Sequence, residues 1–436
     1  MNSSPQQYVN WFRQSSPYIH SHRGRTFVIS ISGETVEHAG FASLIHDIAL
    51  LNSLGVRLVL VHGARPQIEQ QLKILGKQSK LEQGWRITGA DILPGIEQAV
   101  GQVRLNIETK LSMGLINTPM AGAALRVISG NFVTARPYGI RNGIDFGHAG
   151  EVRNIDCDAI KQQLQLSNIV LLSPVGYSPT GEAFNCRSED IATETAIALN
   201  ADKLIFLMDE EGVKNETGDI IHQLNLSQAE RQLEQTQHDD ATLLHLASAV
   251  KACKNGVRRS HLISHDTDGA LLLELYTRDG QGTLITKETY EGLRQASIDD
   301  VGGILELIQP LEEEGILSRR SREQLELEIS NFTVCERDGM IIGCAALYTY
   351  EDKAAELACV AIHTDYRKQG RAKELLNHIE QDCKSRGINK LFILTTQTSH
   401  WFQEQGFVKD DIDNLPIEKR KLYNLQRNSM VFYKSI

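Results

Sequence analysis

The stretch Glu356-Leu-Ala-Cys-Val-Ala-Ile-His-Thr-Asp-Tyr-Arg-Lys-Gln-Gly-Arg-Ala372 decides the fold of the C-terminal part of this chain. Its first residues are β-branched or small and apolar, as in a buried strand, and Lys373 to Ser385 then carries apolar residues at helical spacing. Strand and helix are joined by a basic, glycine-containing turn. In that turn Arg367 is followed by two residues, then Gly370, one more residue and Ala372. A loop that opens a helix offers free backbone N–H groups and the positive end of the helix dipole at one point, which suits a pyrophosphate. Gly370 and Ala372 let backbone approach closely, and Arg367, Lys368 and Arg371 add positive charge.

A hairpin precedes this unit: NFTVCER, the turn Asp338-Gly339, then MIIGCAALYTY. Asp-Gly between alternating runs is a strong hairpin signal because both turn residues must accept φ > 0. A strand, KLFILTT, follows the helix. Upstream, a polar break at Lys287 to Gly292 separates this region from TLIT at Thr283 to Thr286, so the reading places domains at 1–286 and 292–436 with a linker at 287–291.

Before the break, β-branched runs alternate with helical stretches from Thr26 onward, through VRLVLVHG, SNIVLLSPVG, DKLIFLMD and VRRSHLIS. This is the pattern of βαβ units on a mainly parallel sheet. Residues 5 to 20 carry Tyr8, Trp11 and Phe12 at helical spacing, predicting an appended helix whose aromatic face must be buried somewhere.

The 436 residues exceed one core's usual span, and 41% hydrophobic with 23% charged residues is ordinary for a globular protein. No stretch reaches the ~20 apolar residues of a membrane span, and the N-terminus lacks a secretory pattern, so a cytoplasmic location is expected. Seven cysteines without a CxxC pair argue against a disulfide framework or zinc ribbon. A net charge of −10 disfavours nucleic acid and membrane partners and points to small metabolites, with no metal expected.

On these motifs residues 292 to 436 resemble the Gcn5-related N-acetyltransferase (GNAT) fold, an α+β domain with a mixed sheet, in which the loop at Arg367 to Ala372 holds the coenzyme A pyrophosphate. LSRRSREQLE (Leu317 to Glu326), ELACVAI, LFILTTQTSHWFQEQGF (Leu391 to Phe407) and LYNLQRNSMVF (Leu422 to Phe432) further resemble the bacterial N-acetylglutamate synthases. The resemblance implies acetyl transfer from acetyl-coenzyme A to the α-amino group of L-glutamate. An α-amino group titrates near ~8, so it needs a base, and Glu356 is the candidate, acting directly or through a water. Backbone N–H groups of Cys359, Val360, Ala361 and Ile362 become oxyanion donors if the strand is splayed as in that fold. With Arg367, Lys368, Gln369, Gly370, Arg371 and Ala372 they form the expected coenzyme site. The resemblance points to Thr395 as proton donor to the leaving thiolate, with Thr396 and Tyr423 open. It points also to Leu317, Arg319, Cys359, Arg427 and Ser429 around the acceptor, where guanidinium forks suit two carboxylates.

Residues 18 to 286 resemble the amino-acid kinase family, through GRTFVISISG, VRLVLVHGARPQI, GWRITGADIL, FNCRSEDIATETAIALNADKLIFL and HLISHDTDGALLLELYTRDGQGTLI. That family places a lysine in the first strand motif and glycine runs in both phosphate loops. Here Ser30, Ser32 and His62-Gly-Ala64-Arg65 stand in their places. Loss of the ammonium and addition of side chains predict no kinase activity, although Asp190 and Arg86 match kept positions. The resemblance implies a regulatory role instead: an L-arginine site from Lys214, His261, Glu274 and Gly280, with Tyr8 and Phe12 from a helix linking subunits of a homo-oligomer, a hexamer. Rival readings are a bifunctional synthase and kinase, an arginine-sensing protein with an inactive transferase, and an acetyltransferase for another amine.

Overall fold

The computed structural model describes residues 5–436 apart from 115, 216, 236–240, 288–290, 351–352, 368–369 and 425–426, so Lys368 and Gln369 lie outside the described residues. The chain divides into two compact units, Met1–Glu288 and Thr289–Ile436.

The first unit is a three-layer α/β structure. Its eight-stranded sheet runs Gln223–Asn225, Thr283–Thr286, Arg259–Ser264, Lys203–Met208, Thr26–Ile31, Arg57–His62, Ile169–Leu172, Val127–Ile128. All neighbours are parallel except Arg259–Ser264 against Thr283–Thr286. The central strands read as unbroken apolar runs because both faces are covered. Phe27, Ile29 and Ile31 pack with Ile45, Ile68 and Ile96 on one face; Val28, Leu204 and Phe206 pack with Ile160, Ile191 and Leu246 on the other.

Two features of this unit escape the sequence reading. Val133–Pro137, Ala149–Ile155, Val175–Tyr177 and Ala183–Cys186 close a small barrel beside the sheet. A Cβ at Gly150 would lie 2.4 Å from the Cβ of Phe184, and one at Gly176 2.5 Å from that of Ala135, so glycine is what lets these strands close. A five-residue helix, Gly33–Glu37, also follows the first strand.

The second unit has a seven-stranded sheet in the order Glu291–Gln295, Phe332–Arg337, Met340–Thr349, Ala354–Ile362, Lys390–Thr395, Met430–Ser435, Val408–Asp410. Glu291, assigned to the linker from sequence, already belongs to its first strand, where it faces Arg337. The predicted hairpin turn is present, with φ 47° at Asp338 and 79° at Gly339. The Val301–Glu313 helix covers one face and Arg371–Ser385 the other. Only Ala354–Ile362 and Lys390–Thr395 run parallel, in register for three positions, Ala354 to Glu356 against Lys390 to Phe392. Beyond them the first strand continues to Ile362 and the second to Thr395, so the pair parts at its carboxyl end. A register shift between Cys344 and Ala346 and a left-handed φ of 52° at Cys359 mark a bulge there.

Candidate active site

The parted strands open beside the basic turn. Gly370 has φ 83° and caps the Arg371–Ser385 helix; the first helical bonds run from Lys373 and Glu374 N–H to its carbonyl at 3.0 and 3.1 Å. The preceding N–H groups, through Arg371 and Ala372, are those a helix start leaves unpaired. Not every neighbouring cation points there. Arg371 donates to Glu291 at 2.9 Å, which also accepts from Arg337 at 2.7 Å, and its guanidinium lies over Tyr366. Arg367 donates through Nε to the Ile362 carbonyl at 3.2 Å, tying the turn to the end of the strand. Arg371 therefore offers its backbone N–H here, and its side chain holds the sheet edge.

Glu356 is 4% exposed, at the last registered position before the strands part. Its Oε2 forms an ion pair with the Lys419 ammonium at 2.7 Å and accepts from the Tyr350 hydroxyl at 3.1 Å. Lys419 comes from the short Ile417–Lys421 helix, anchored by Leu415 packing with Ala354 and Phe392. Three residues on, Cys359 is buried, and the Cys344 thiol donates to its carbonyl at 3.5 Å.

Two loops converge on this end of the sheet. Arg427 donates to the carbonyls of Ile316 at 2.6 Å and Gly315 at 3.3 Å and to the Ser318 hydroxyl at 2.9 Å. The segments bearing Leu317 and Arg319 and those bearing Arg427 and Ser429 are thus joined. The Ser429 carbonyl accepts from the Tyr423 hydroxyl at 2.6 Å. Arg319 is exposed and no acceptor reaches it among the described residues, while its neighbour Arg320 turns inward beside Tyr348 and Cys359 with a buried Nε that lacks an acceptor. Tyr348 in turn donates to Glu328 at 2.5 Å. At the end of the second strand the Thr395 hydroxyl is shared with that of Thr398 at 2.9 Å, whereas the buried Thr396 hydroxyl has no partner among the described residues. Lys419 and Arg320 were missed by sequence reasoning: each sits in a run of like charges, and spacing alone does not tell the inward residue from its neighbours.

In the first unit His261, Glu274 and Gly280 do meet. Glu274 accepts from His261 Nδ1 at 2.6 Å and from the N–H groups of Gln281 and Gly282 at 2.6 and 3.1 Å, and a Cβ at Gly280 would lie 2.4 Å from its Oε2. Burial opposes its charge, but these donors hold its pKa down at about 2. Burial, then Lys203 beside it, pushes His261 down to about 4. Of about four acceptor positions on a carboxylate, three are occupied, so a guanidinium finds one and not a bidentate fork. Lys214 is exposed, 3.7 Å from Glu210. Tyr8 and Phe12 are 65% and 57% exposed on the Pro5–His22 helix, more than two turns from His22, which bonds the Leu275 carbonyl at 2.8 Å. They do not join the His261 cluster within one chain.

The positions matching phosphate loops still line a cavity, bounded by Ser32, Gly33, Gly63, Ala64, Arg65 and Arg187, but side chains crowd its glycine. Gln67 donates to the Gly33 carbonyl at 2.7 Å, and a Cβ at Gly33 would meet Gln67 and Pro66 at 2.7 Å. Ser30 is buried within its strand, Ser32 caps the next helix, Asp190 is bound by Arg187 at 2.8 and 3.1 Å, and Arg86 pairs with Glu69 at 2.7 Å. His38, His265 and Asp266 bring ligand atoms within 4.8 Å of one another. The Gly40 N–H, however, donates to His38 Nδ1 at 3.1 Å, which puts the ring proton on Nε2, 3.3 Å from Asp266. That is a hydrogen-bonded cluster and not a set of open ligands. No described helix is long and apolar enough to cross a membrane.

Comparison with known proteins matches residues 25–264 to the Amino acid kinase family and 302–407 to the Acetyltransferase (GNAT) family. An amino-acid acetyltransferase of Azotobacter vinelandii is 53% identical, over 98% of this chain and 99% of its own. Among solved structures, N-acetylglutamate synthase from Neisseria gonorrhoeae complexed with coenzyme A and L-arginine is 37% identical, with TM-score 0.88 and 98% and 99% coverage. A structure of that synthase complexed with coenzyme A and N-acetyl-glutamate is 38% identical with TM-score 0.63, at the same coverage.

Proposed function

As this chain belongs to the amino-acid acetyltransferases, uniting an amino-acid-kinase-like unit with a GNAT unit, we propose that it moves the acetyl group of acetyl-coenzyme A to the α-amino group of L-glutamate. The products are N-acetyl-L-glutamate and coenzyme A, in the first step of arginine biosynthesis. The observation that carries this reading is the buried Glu356 at the point where the strands part, flanked by the joined Arg319 and Arg427 loops.

In this mechanism the coenzyme pyrophosphate sits on the N–H groups at Gly370 to Ala372, and the thioester lies along Cys359 to Ile362. Those residues have no partner strand on one side and can stabilise the tetrahedral oxyanion. Glu356 takes a proton from the substrate ammonium, the free amine attacks the thioester carbon, and the C–S bond breaks. The second amine proton leaves nitrogen as the bond breaks; the Thr395 hydroxyl gives its own proton to the departing thiolate and takes that one in return. Arg319 and Arg427, with Ser429 and the backbone of Leu317 and Cys359, hold the two carboxylates.

The kinase-like unit serves regulation: L-arginine binds at the His261, Glu274 and Gly280 corner and lowers the transfer rate. The exposed Tyr8 and Phe12 seat against another copy in a hexamer. The gonococcal synthase solved with L-arginine and with N-acetyl-glutamate supports the ligands assigned. Ser30 in place of the lysine, and the side chains of Ala64 and Arg65 in the second loop, argue against a second, phosphorylating activity.

The test is coenzyme A release from acetyl-coenzyme A with and without L-glutamate, for the native chain and Glu356→Gln, with L-arginine as a further condition. Glutamate-dependent release that falls about a hundred-fold in the variant and drops with arginine is expected. Release indifferent to glutamate would sink the acceptor assignment and leave the acetyltransferase standing.

A further inference from the structure

Glu356 cannot serve as a base unless one of its oxygens is left for substrate. Two protein groups, the Lys419 ammonium in an ion pair at 2.7 Å and the Tyr350 hydroxyl donating at 3.1 Å, meet on Oε2. The one hydrogen bond and the one cation both engage Oε2, so it is this oxygen that the protein holds. Among the described residues no donor reaches Oε1. A buried carboxylate with an unfixed torsion would otherwise turn either oxygen toward either partner, since its terminal torsion is broad and two-fold.

The Lys419 side chain is itself only 22% exposed, against 72% for a freely solvated surface cation such as Arg322. It is delivered by a segment with its own apolar anchor, in which Leu415 packs with Ala354, Phe392 and Val431, and Tyr350 and Tyr423 lie against them. Ala354 and Phe392 belong to the two strands that part beside Glu356. The anchor therefore fixes the ammonium relative to the strand that carries the base.

We propose that Lys419 is a positioning residue for acetyl transfer, which with Tyr350 pins Oε2 of Glu356 and so presents Oε1 to the substrate ammonium. It touches neither substrate and acts through Glu356. This rests on the assignment of Glu356 as the base. Because orientation of the base matters to the reacting step and little to substrate capture, its loss should appear in kcat and not in KM. A guanidinium supplies equivalent donors at a similar reach, so arginine should substitute in part.

The experiment is steady-state kinetics and thermal melting on the full chain for Lys419→Met, Lys419→Arg, Tyr350→Phe, Glu356→Gln and the double variant Glu356→Gln with Lys419→Met. Lys419→Met is expected to lower kcat about ten-fold or more with both KM values within about two-fold, and Lys419→Arg to recover most of it. Tyr350→Phe should give a smaller loss. In the Glu356→Gln background, Lys419→Met should cost less than about two-fold more, as residues acting as a unit are not additive. A Lys419→Met enzyme with native kcat, beside a Glu356→Gln enzyme that has collapsed, would overturn the positioning role alone. Glu356→Gln with native kcat would overturn the base assignment and this inference with it. A loss in Lys419→Met matched by lower melting and not recovered by arginine would mean a purely structural contact.

Discussion

Arg427 donates three hydrogen bonds to the segment at Gly315, Ile316 and Ser318, which leaves two of a guanidinium's five N–H groups for a ligand carboxylate. A lysine has three donors on one nitrogen and cannot span three acceptors and a carboxylate together. Arg427→Lys is therefore expected to raise KM for glutamate at least about ten-fold and leave KM for acetyl-coenzyme A within about two-fold. A variant with native KM for glutamate would remove Arg427 from the acceptor site. Cys359 raises the opposite question, whether a thiol beside the thioester takes the acetyl group. The neighbouring Cys344 thiol donates to the Cys359 carbonyl, so it does not act as a base toward the Cys359 thiol. The Cys359 backbone, at φ 52°, is equally unfavourable for cysteine and alanine. Direct transfer predicts that Cys359→Ala keeps turnover within about ten-fold, and a trapped acetyl-enzyme in the native protein would reverse that view.

The basic turn works only as part of the strand before it and the helix after it. Gly370 holds φ 83° with open space where a Cβ would go, so Gly370→Ala meets no clash, only the left-handed penalty of about 1–2 kcal/mol. Relief of that strain turns the first helical N–H groups away, so KM for acetyl-coenzyme A should rise several-fold while KM for glutamate stays put. Equal changes in both would show a general loss of structure instead. This element was legible in the sequence because its constraints are local: a glycine at a helix start, an Asp-Gly turn between alternating runs, and apolar runs at Phe27 to Ile31 and Lys203 to Met208 too continuous for a half-exposed strand. The small barrel was not legible, since Gly150 and Gly176 are needed by strands more than twenty residues apart, and nothing at either position signals its partner. The site divides the same way. Glu356 follows from its place before the turn; Lys419 and Arg320 do not, because what distinguishes them from Arg420 and Arg319 is the direction in which a loop delivers the side chain.

Across the whole molecule the buried histidines lie in the first unit. Burial pushes His22 down to about 3 and His62 down to about 4, and burial with Lys203 pushes His261 down to about 4. The histidines of residues 289–436, His363, His378 and His400, are half-buried or exposed. A histidine whose folded pKa lies below its unfolded value of 6.5 binds its proton more tightly in the unfolded chain. Its stabilising contribution is complete above 6.5 and is lost as pH falls toward the folded value. Asp47 works the other way: burial, with Asp268 nearby, raises it to about 7, so the fold gains from it as pH drops. Three depressed histidines, joined toward pH 4 by the depressed Glu274, against one raised carboxyl leave roughly two protons in favour of the unfolded first unit between pH 6 and pH 4. That is on the order of 2–3 kcal/mol per pH unit, enough to dominate an ordinary margin of stability. Melting followed at Trp85, which is buried in the first unit, should therefore fall steadily from pH 7 to pH 5, and a transition followed at Trp401 in the second unit should move less. His62 bonds the Ser173 hydroxyl at 2.9 Å and the Gly63 carbonyl at 3.0 Å, both within reach of an uncharged amide, so His62→Gln should flatten the slope by about one proton. A melting temperature at Trp85 that held constant or rose on acidification would mean these histidines gain compensating partners when protonated, and the acid sensitivity assigned to the kinase-like unit would have to be given up.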